Sequence, residues 1–156
     1  MRASAERVQA YFREKGFEFE VRELGSSTRT AGEAAESIGC RVAQIAKSLV
    51  FRDKNSNAPI LVIASGVNRV DVKKIETAMG CKLGRADATY VREQTGFAIG
   101  GIPPAGHIRP LKTVLDTDLK QYREIWAAAG TPFAVFRLNP GDLGSLTGGT
   151  WVDLAG

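Results

Sequence analysis

The chain has 156 residues and a mass of 16.8 kDa, with 44% hydrophobic and 24% charged residues. These values fit a single globular domain over residues 1–156 and exclude a disordered chain, a collagen-like repeat and a coiled coil. Twenty-one Lys and Arg against seventeen Asp and Glu leave a net charge of +4, a mild bias toward anionic partners.

The longest aliphatic run, Ile60 to Ala64, falls far short of the ~20 residues a membrane helix needs. The N-terminus has no apolar signal-peptide core, so no membrane partner and a cytoplasmic location are expected. The two cysteines, Cys40 and Cys81, lie far apart and read as buried thiols. With one histidine, His107, they cannot complete a four-ligand zinc site, so no metal and no cofactor are expected.

In chain order, Ser4 is placed to cap a first helix, with Val8, Tyr11, Phe12 and Lys15 on one stripe and Gly16 as its stop. Glu18 to Leu24 alternates as a half-exposed strand. Thr30 to Glu33 is a capping box opening a short helix that ends near Gly39. Val42 to Ala46 predicts a further helical turn. Ser48 to Arg52 and Pro59 to Ser65 predict a hairpin about the turn Asn55-Ser-Asn. Helices are expected over Asp71 to Met79 and Asp87 to Gln94, each followed closely by a glycine. A strand is placed between Ile108 and Leu115, after Pro110. Asp118 then caps an expected helix burying Leu119, Tyr122, Ile125 and Trp126, with Gly130 as its C′ residue. Phe133 to Leu138 reads as a strand, Pro140 to Leu146 as a short helix and Trp151 to Leu154 as a last strand. Hairpins with interspersed helices predict an α+β fold.

Three segments carry potential chemistry. Lys47 lies between Ile45, Ala46, Leu49 and Val50, where a helical turn passes into a strand. It is either a lysine snorkelling at a strand end or an ammonium with a partner or a task. The loop Gly100-Gly-Ile-Pro-Pro-Ala-Gly-His107 is either a rigid turn or a cradle aiming N–H groups at a carbonyl or phosphate. The loop Ser26 to Thr30 reads first as helix capping. From Arg69 to Arg85, the bases Arg69, Lys73, Lys74, Lys82 and Arg85 face two acids, which is either a solvated helix face or a polyanion contact.

In order and spacing these segments resemble the YbaK/ProX family of aminoacyl-tRNA deacylases, the domain also inserted in bacterial prolyl-tRNA synthetases. Thr30-Ala-Gly-Glu-Ala-Ala35 resembles its Thr-x-x-Glu-Ala-Ala element, and Gln44-Ile-Ala-Lys-Ser-Leu49 its lysine motif. Ser65 to Lys74 is similar to its hairpin-to-helix passage, and Gly100 to Gly106 to its Gly-x-x-x-Pro-x-Gly loop. The resemblance implies a compact mixed, partly closed β-sheet surrounded by helices. It implies trans-editing: hydrolysis of a small amino acid wrongly esterified to tRNA, without a metal. Lys47 would be the catalytic residue. Gly100, Gly101, Pro104, Gly106, His107, Thr30 and Ser48 would bind substrate, and the Arg69–Arg85 bases would hold tRNA. Mischarged aminoacyl-tRNA is the implied partner, with an aminoacyl-tRNA synthetase as a second candidate. A catalytically inactive tRNA- or synthetase-binding module of the same fold, or a hydrolase for another small acyl ester, are the competing readings.

Overall fold

The computed structural model describes all 156 residues. Helix α1 (Ala3–Glu14) is followed by a two-residue strand β1 (Arg22–Glu23) and helix α2 (Ala31–Ile38). A 3₁₀ turn (Val42–Gln44) leads into the hairpin of β2 (Ile45–Asp53) and β3 (Pro59–Ser65). Helix α3 (Val72–Met79), the short β4 (Leu83–Gly84), helix α4 (Ala88–Thr95) and β5 (Lys112–Asp116) follow. After a second 3₁₀ turn (Thr117–Gln121) come β6 (Ile125–Ala128), β7 (Ala134–Leu138), α5 (Pro140–Thr147) and β8 (Thr150–Val152).

The helix starts obey local chemistry. The side chains of Thr30, Asp71, Asp87 and Asn139 each accept a hydrogen bond from an N–H in the first turn of α2, α3, α4 and α5. Helix α1 differs: Arg2, not Ser4, precedes its first turn and makes no side-chain cap. The alternation over Glu18 to Leu24 survives only as β1 pairing with β7, because Gln9 binds the remainder. Its amide donates to Phe19 O and its carbonyl accepts from Val21 N–H.

One mixed eight-stranded sheet runs β1-β7-β6-β2-β3-β5-β8, with β4 attached to β2 beyond the end of β6. The path has two ends, so strand pairing does not close it into a barrel. Every residue of β3 is buried, as a central strand covered on both faces requires. Register sorts the two faces. Leu61, Ile63, Leu115 and Phe136 pack under α1, α4 and α5 with Val8, Phe12, Val91 and Leu143. Ile60, Val62, Val114 and Val152 pack under α3 with Ile75. Ile45, Trp126 and Val135 pack under α2 with Ala34 and Ala35. Each large aliphatic side chain so buried contributes about 1.5–3 kcal/mol.

The helix expected after Asp118 does not form. Asp116 caps the 3₁₀ turn instead, and Ile125 to Ala128 is a strand antiparallel to β7. The helical spacing of Leu119, Tyr122, Ile125 and Trp126 is coincidental. Ile125 and Trp126 pair with Leu138 and Arg137 across the sheet, and that long-range pairing overrides the local period. Gly130, at φ +102°, sits in the turn between β6 and β7.

Candidate active site

Strand β2 creates the site by running alongside β6 for only two residues. The pairs Ile45–Trp126 and Ala46–Ala127 are made, and then the strands separate. A cavity of about 210 Å³ opens in the split, lined by 18 residues of which 12 are hydrophobic. Thr30, Ala31 and Ala34 approach it from the α2 side, and Ile99, Gly100 and Ile102 from the other. Lys47 and Ser48 belong to its wall.

Lys47 is the third residue of β2 and half-buried, on the sheet face shared with Leu49 and Phe51. Its Nζ donates to Asn68 O at 2.7 Å and to Gly66 O at 3.4 Å. Burial pushes its pKa below the ordinary lysine value, and the Asp116 carboxylate acts the other way. This is an anchored ammonium and not a snorkelling one.

Its anchor is a second layer that the sequence does not announce. Asp116 is 1% exposed. Its Oδ2 accepts from Ser65 N–H at 2.9 Å and from the Asn68 side-chain amide at 2.8 Å. Its Oδ1 accepts from Asp118 N–H at 2.9 Å. Asn68 also donates to Asp118 Oδ2 at 2.8 Å, and Ser65 Oγ donates to Ala43 O at 2.7 Å. The carboxylate thereby fixes the loop whose carbonyls hold Lys47. Ser65 and Asn68 lie together where β3 passes into the β3–α3 loop, but Asp116 is 51 and 48 positions away along the chain, so only folding brings it to them.

The glycine loop divides. Gly100 lines the cavity, adopts φ +92° and packs so closely on Arg29 that a Cβ would lie 2.8 Å from Arg29 Cγ. Its N–H has no partner within the chain. Gly101 does not line the cavity. Its N–H donates to Ala98 O at 3.0 Å, and a Cβ there would stand 2.8 Å from the Thr131 backbone. Its smallness serves packing against the β6–β7 turn. Pro104, Gly106 and His107 line a different cavity, with Tyr11 and Lys15. His107 Nε2 donates to Pro103 O at 2.7 Å, and burial lowers its pKa. Thr30 lines the Lys47 cavity while its Oγ1 accepts from Glu33 N–H at 3.1 Å, so capping and site position coincide.

The basic stretch does not enter the cavity wall. Arg69, Lys73, Lys82 and Arg85 are exposed, and Lys73 and Lys82 flank a separate polar hollow beside α3. Lys74 is tied down, its Nζ donating to Ala155 O at 2.7 Å. Other cations stand nearer the cavity. Arg29 is in its wall, and Arg22 stacks 5.3 Å above the ring of Trp126, itself a wall residue. Arg137 is the cross-strand neighbour of Trp126. Arg22, Arg29 and Arg137 are widely separated along the chain and form no charge run in the sequence. No helix is long and apolar enough to cross a membrane, and no three His, Cys, Asp or Glu side chains cluster to hold a metal ion.

The chain is similar to known proteins along most of its length. The aminoacyl-tRNA editing domain family matches residues 26–146. The chain is 33% identical over 152 residues to the uncharacterised protein YwhH of Bacillus subtilis, covering 97% of this chain and 96% of that one. It is 29% identical over 128 residues to EbsC of Enterococcus faecalis, proposed as a Cys-tRNA(Pro)/Cys-tRNA(Cys) deacylase, covering 80% and 76%. A crystal structure of a protein proposed as a trans-editing enzyme for prolyl tRNA synthetase superposes with a TM-score of 0.94 at 48% identity, over 100% of this chain and 99% of that one. The family match over residues 26–146, with these likenesses, makes the chain a member of the aminoacyl-tRNA editing domain family.

Proposed function

We propose that this protein is a trans-editing deacylase that hydrolyses the ester between a small, wrongly attached amino acid and tRNA. One observation carries the reading: a half-buried ammonium, held by two carbonyls, at the margin of an apolar cavity beside an unpartnered Gly100 N–H. The cavity is smaller than the roughly 300–1,000 Å³ of a drug-sized ligand site, which suits a small aminoacyl group.

The chemistry needs little more. Water adds to the ester carbonyl carbon, and the oxygen of that carbonyl gains negative charge. The bond to the ribose oxygen then breaks, the ribose oxygen takes up a proton, and a free amino acid and tRNA leave. Lys47 and Gly100 N–H stabilise the developing charge, while a neighbouring ribose hydroxyl relays the proton from water. Thr30 and Ser48 shape the wall against the acyl group. Synthetases need such help because one methylene contributes only about 1–3 kcal/mol to discrimination.

The whole chain acts as one domain, in the cytoplasm, on mischarged tRNA. Likeness to a protein proposed as a trans-editing enzyme for prolyl tRNA synthetase supports that synthetase as the source of the errors and as a partner. A binding module without catalysis is less favoured, because it has no use for an ammonium positioned at such a cavity. The deciding experiment is a deacylation panel of tRNAs carrying alanine, cysteine, serine or threonine. Release of one or more above the spontaneous rate is expected, and no release from any would overturn the reading.

A further inference from the structure

The split between β2 and β6 exposes more than a cavity wall. Gly66 N–H donates to Ile45 O at 2.8 Å, and Asp53 N–H donates to Ala58 O at 2.9 Å. Both bonds join directly opposed residues of the β2–β3 ladder, whose register pairs Lys47 with Ala64 and Leu49 with Val62. In an antiparallel ladder such bonded pairs alternate. The odd-numbered residues of β2 therefore exchange bonds with β3. The even-numbered ones, Ala46, Ser48, Val50 and Arg52, direct N–H and C=O to the opposite edge.

On that edge Ala46 meets β6 and Arg52 meets β4. Between them Ser48 and Val50 face no strand. Buried main-chain groups are nearly always paired, so an open stretch of central strand beside a cavity calls for a ligand or water. Ser48 is the one of the two in the cavity wall. A second observation falls on the same residue: its Oγ is buried and has no hydrogen-bond partner.

An α-amino acid esterified through its carboxyl carries an N–H-donating α-ammonium and one C=O acceptor on the same residue. These are the two groups that a bonded antiparallel pair exchanges. Resting on the deacylase reading above, we propose that the substrate's amino acid docks as a one-residue strand on Ser48. Its α-ammonium donates to Ser48 C=O, and its ester carbonyl accepts from Ser48 N–H. The main chain thus recognises what all amino acids share, in the manner of strand addition to an open edge, and leaves selection of the side chain to the apolar wall. The same N–H strengthens its bond as the carbonyl oxygen becomes negative, alongside Lys47 and Gly100.

The test removes one hydrogen-bond donor. Replacing the amide at position 48 by an ester, through an α-hydroxy acid that retains the serine side chain, deletes the N–H and, in the β2–β3 ladder, only weakens the Lys47 carbonyl as an acceptor, a change that the Val50 control below reproduces at Leu49. Single-turnover deacylation at saturating enzyme should fall about 10²-fold, as for other lost oxyanion donors. The same change at Val50, whose N–H faces the open edge away from the cavity, should leave the rate within threefold. In the unmodified protein, the 3′-deoxy-3′-(aminoacylamino)adenosine of an amino acid that the panel shows to be released should slow solvent exchange of the Ser48 amide and not that of Val50. An active wild type whose position-48 ester variant stays within threefold, or a Ser48 amide whose exchange the analogue does not slow, overturns the docking mode alone. A wild type inactive on every mischarged tRNA overturns the deacylase reading with it.

Discussion

Lys47 is joined to Asp116 through a single residue. Its ammonium donates to the Asn68 carbonyl at 2.7 Å, while the Asn68 amide donates to Asp116 at 2.8 Å. A buried carboxylate therefore sets the place of the ammonium without touching it, through the backbone of the β3–α3 loop. The expected behaviour of variants follows from that chain of contacts.

Lys47→Ala should reduce deacylation at least 100-fold and leave the circular-dichroism spectrum native, because its neighbours in β2 keep their ladder with β3. Lys47→Arg should fail as well, since a planar fork cannot occupy the ammonium's place between Gly66 and Asn68. Turnover above one tenth of wild type in the alanine variant would remove Lys47 from the chemistry.

Alkaline pH should switch the enzyme off. Burial lowers the Lys47 pKa, so the active ammonium is lost as pH rises, with a midpoint below the ordinary 10.5. The Asp116 charge opposes that shift. Asp116→Asn removes the charge, lowers the Lys47 pKa further and should move the alkaline limb to lower pH. Single-turnover rates corrected for spontaneous ester hydrolysis give the profile. An unmoved limb would show that Asp116 has only a structural part.

Gly101→Val should damage the fold before it damages turnover. The new side chain would meet the Thr131 backbone, and overpacking of this kind costs about 1–3 kcal/mol. A lowered melting temperature with near-normal turnover in the remaining folded protein is expected. Gly100→Ala places a side chain at φ +92° against Arg29 in the cavity wall, and there the rate itself should fall. Equal effects of both on rate would return Gly101 to the site.

Binding of uncharged tRNA should weaken with salt, through phosphate contacts. The surface geometry gives two candidate tracks: Lys73 with Lys82 beside α3, and Arg29 with Arg22 at the cavity. Loss of Arg29 and Arg22 together should weaken binding tenfold or more and flatten the salt slope, because these cations border the reacting end. If Lys73 and Lys82 alone produce that effect, the acceptor arm crosses α3.

Prolonged dialysis against EDTA should leave deacylation unchanged once tRNA is refolded in a fixed magnesium concentration. No three His, Cys, Asp or Glu side chains cluster in the structure. Loss of activity restored by one added divalent ion would contradict this expectation.

The sequence by itself determined the elements whose signals are local. Thr30, Asp71 and Asp87 cap helices because their side chains reach an N–H two or three residues away. The β2–β3 hairpin was legible because the apolar runs Leu49 to Phe51 and Ile60 to Ala64 flank one polar turn. Lys47 was legible because a lysine among aliphatic neighbours is chemically out of place. Only tertiary structure decided the rest. Ile125 to Ala128 became a strand because β7 offered it partners, against its own helical spacing. The glycine loop was divided by what packs on it: Arg29 on Gly100, Thr131 on Gly101, and a separate cavity for Pro104, Gly106 and His107. The Asp116 anchor joins residues 48 and 51 positions apart along the chain, and the open edge at Ser48 exists because β6 departs from β2 after two pairs. Those are long-range contacts, and the residue types at their ends carry no mark of who their partners will be.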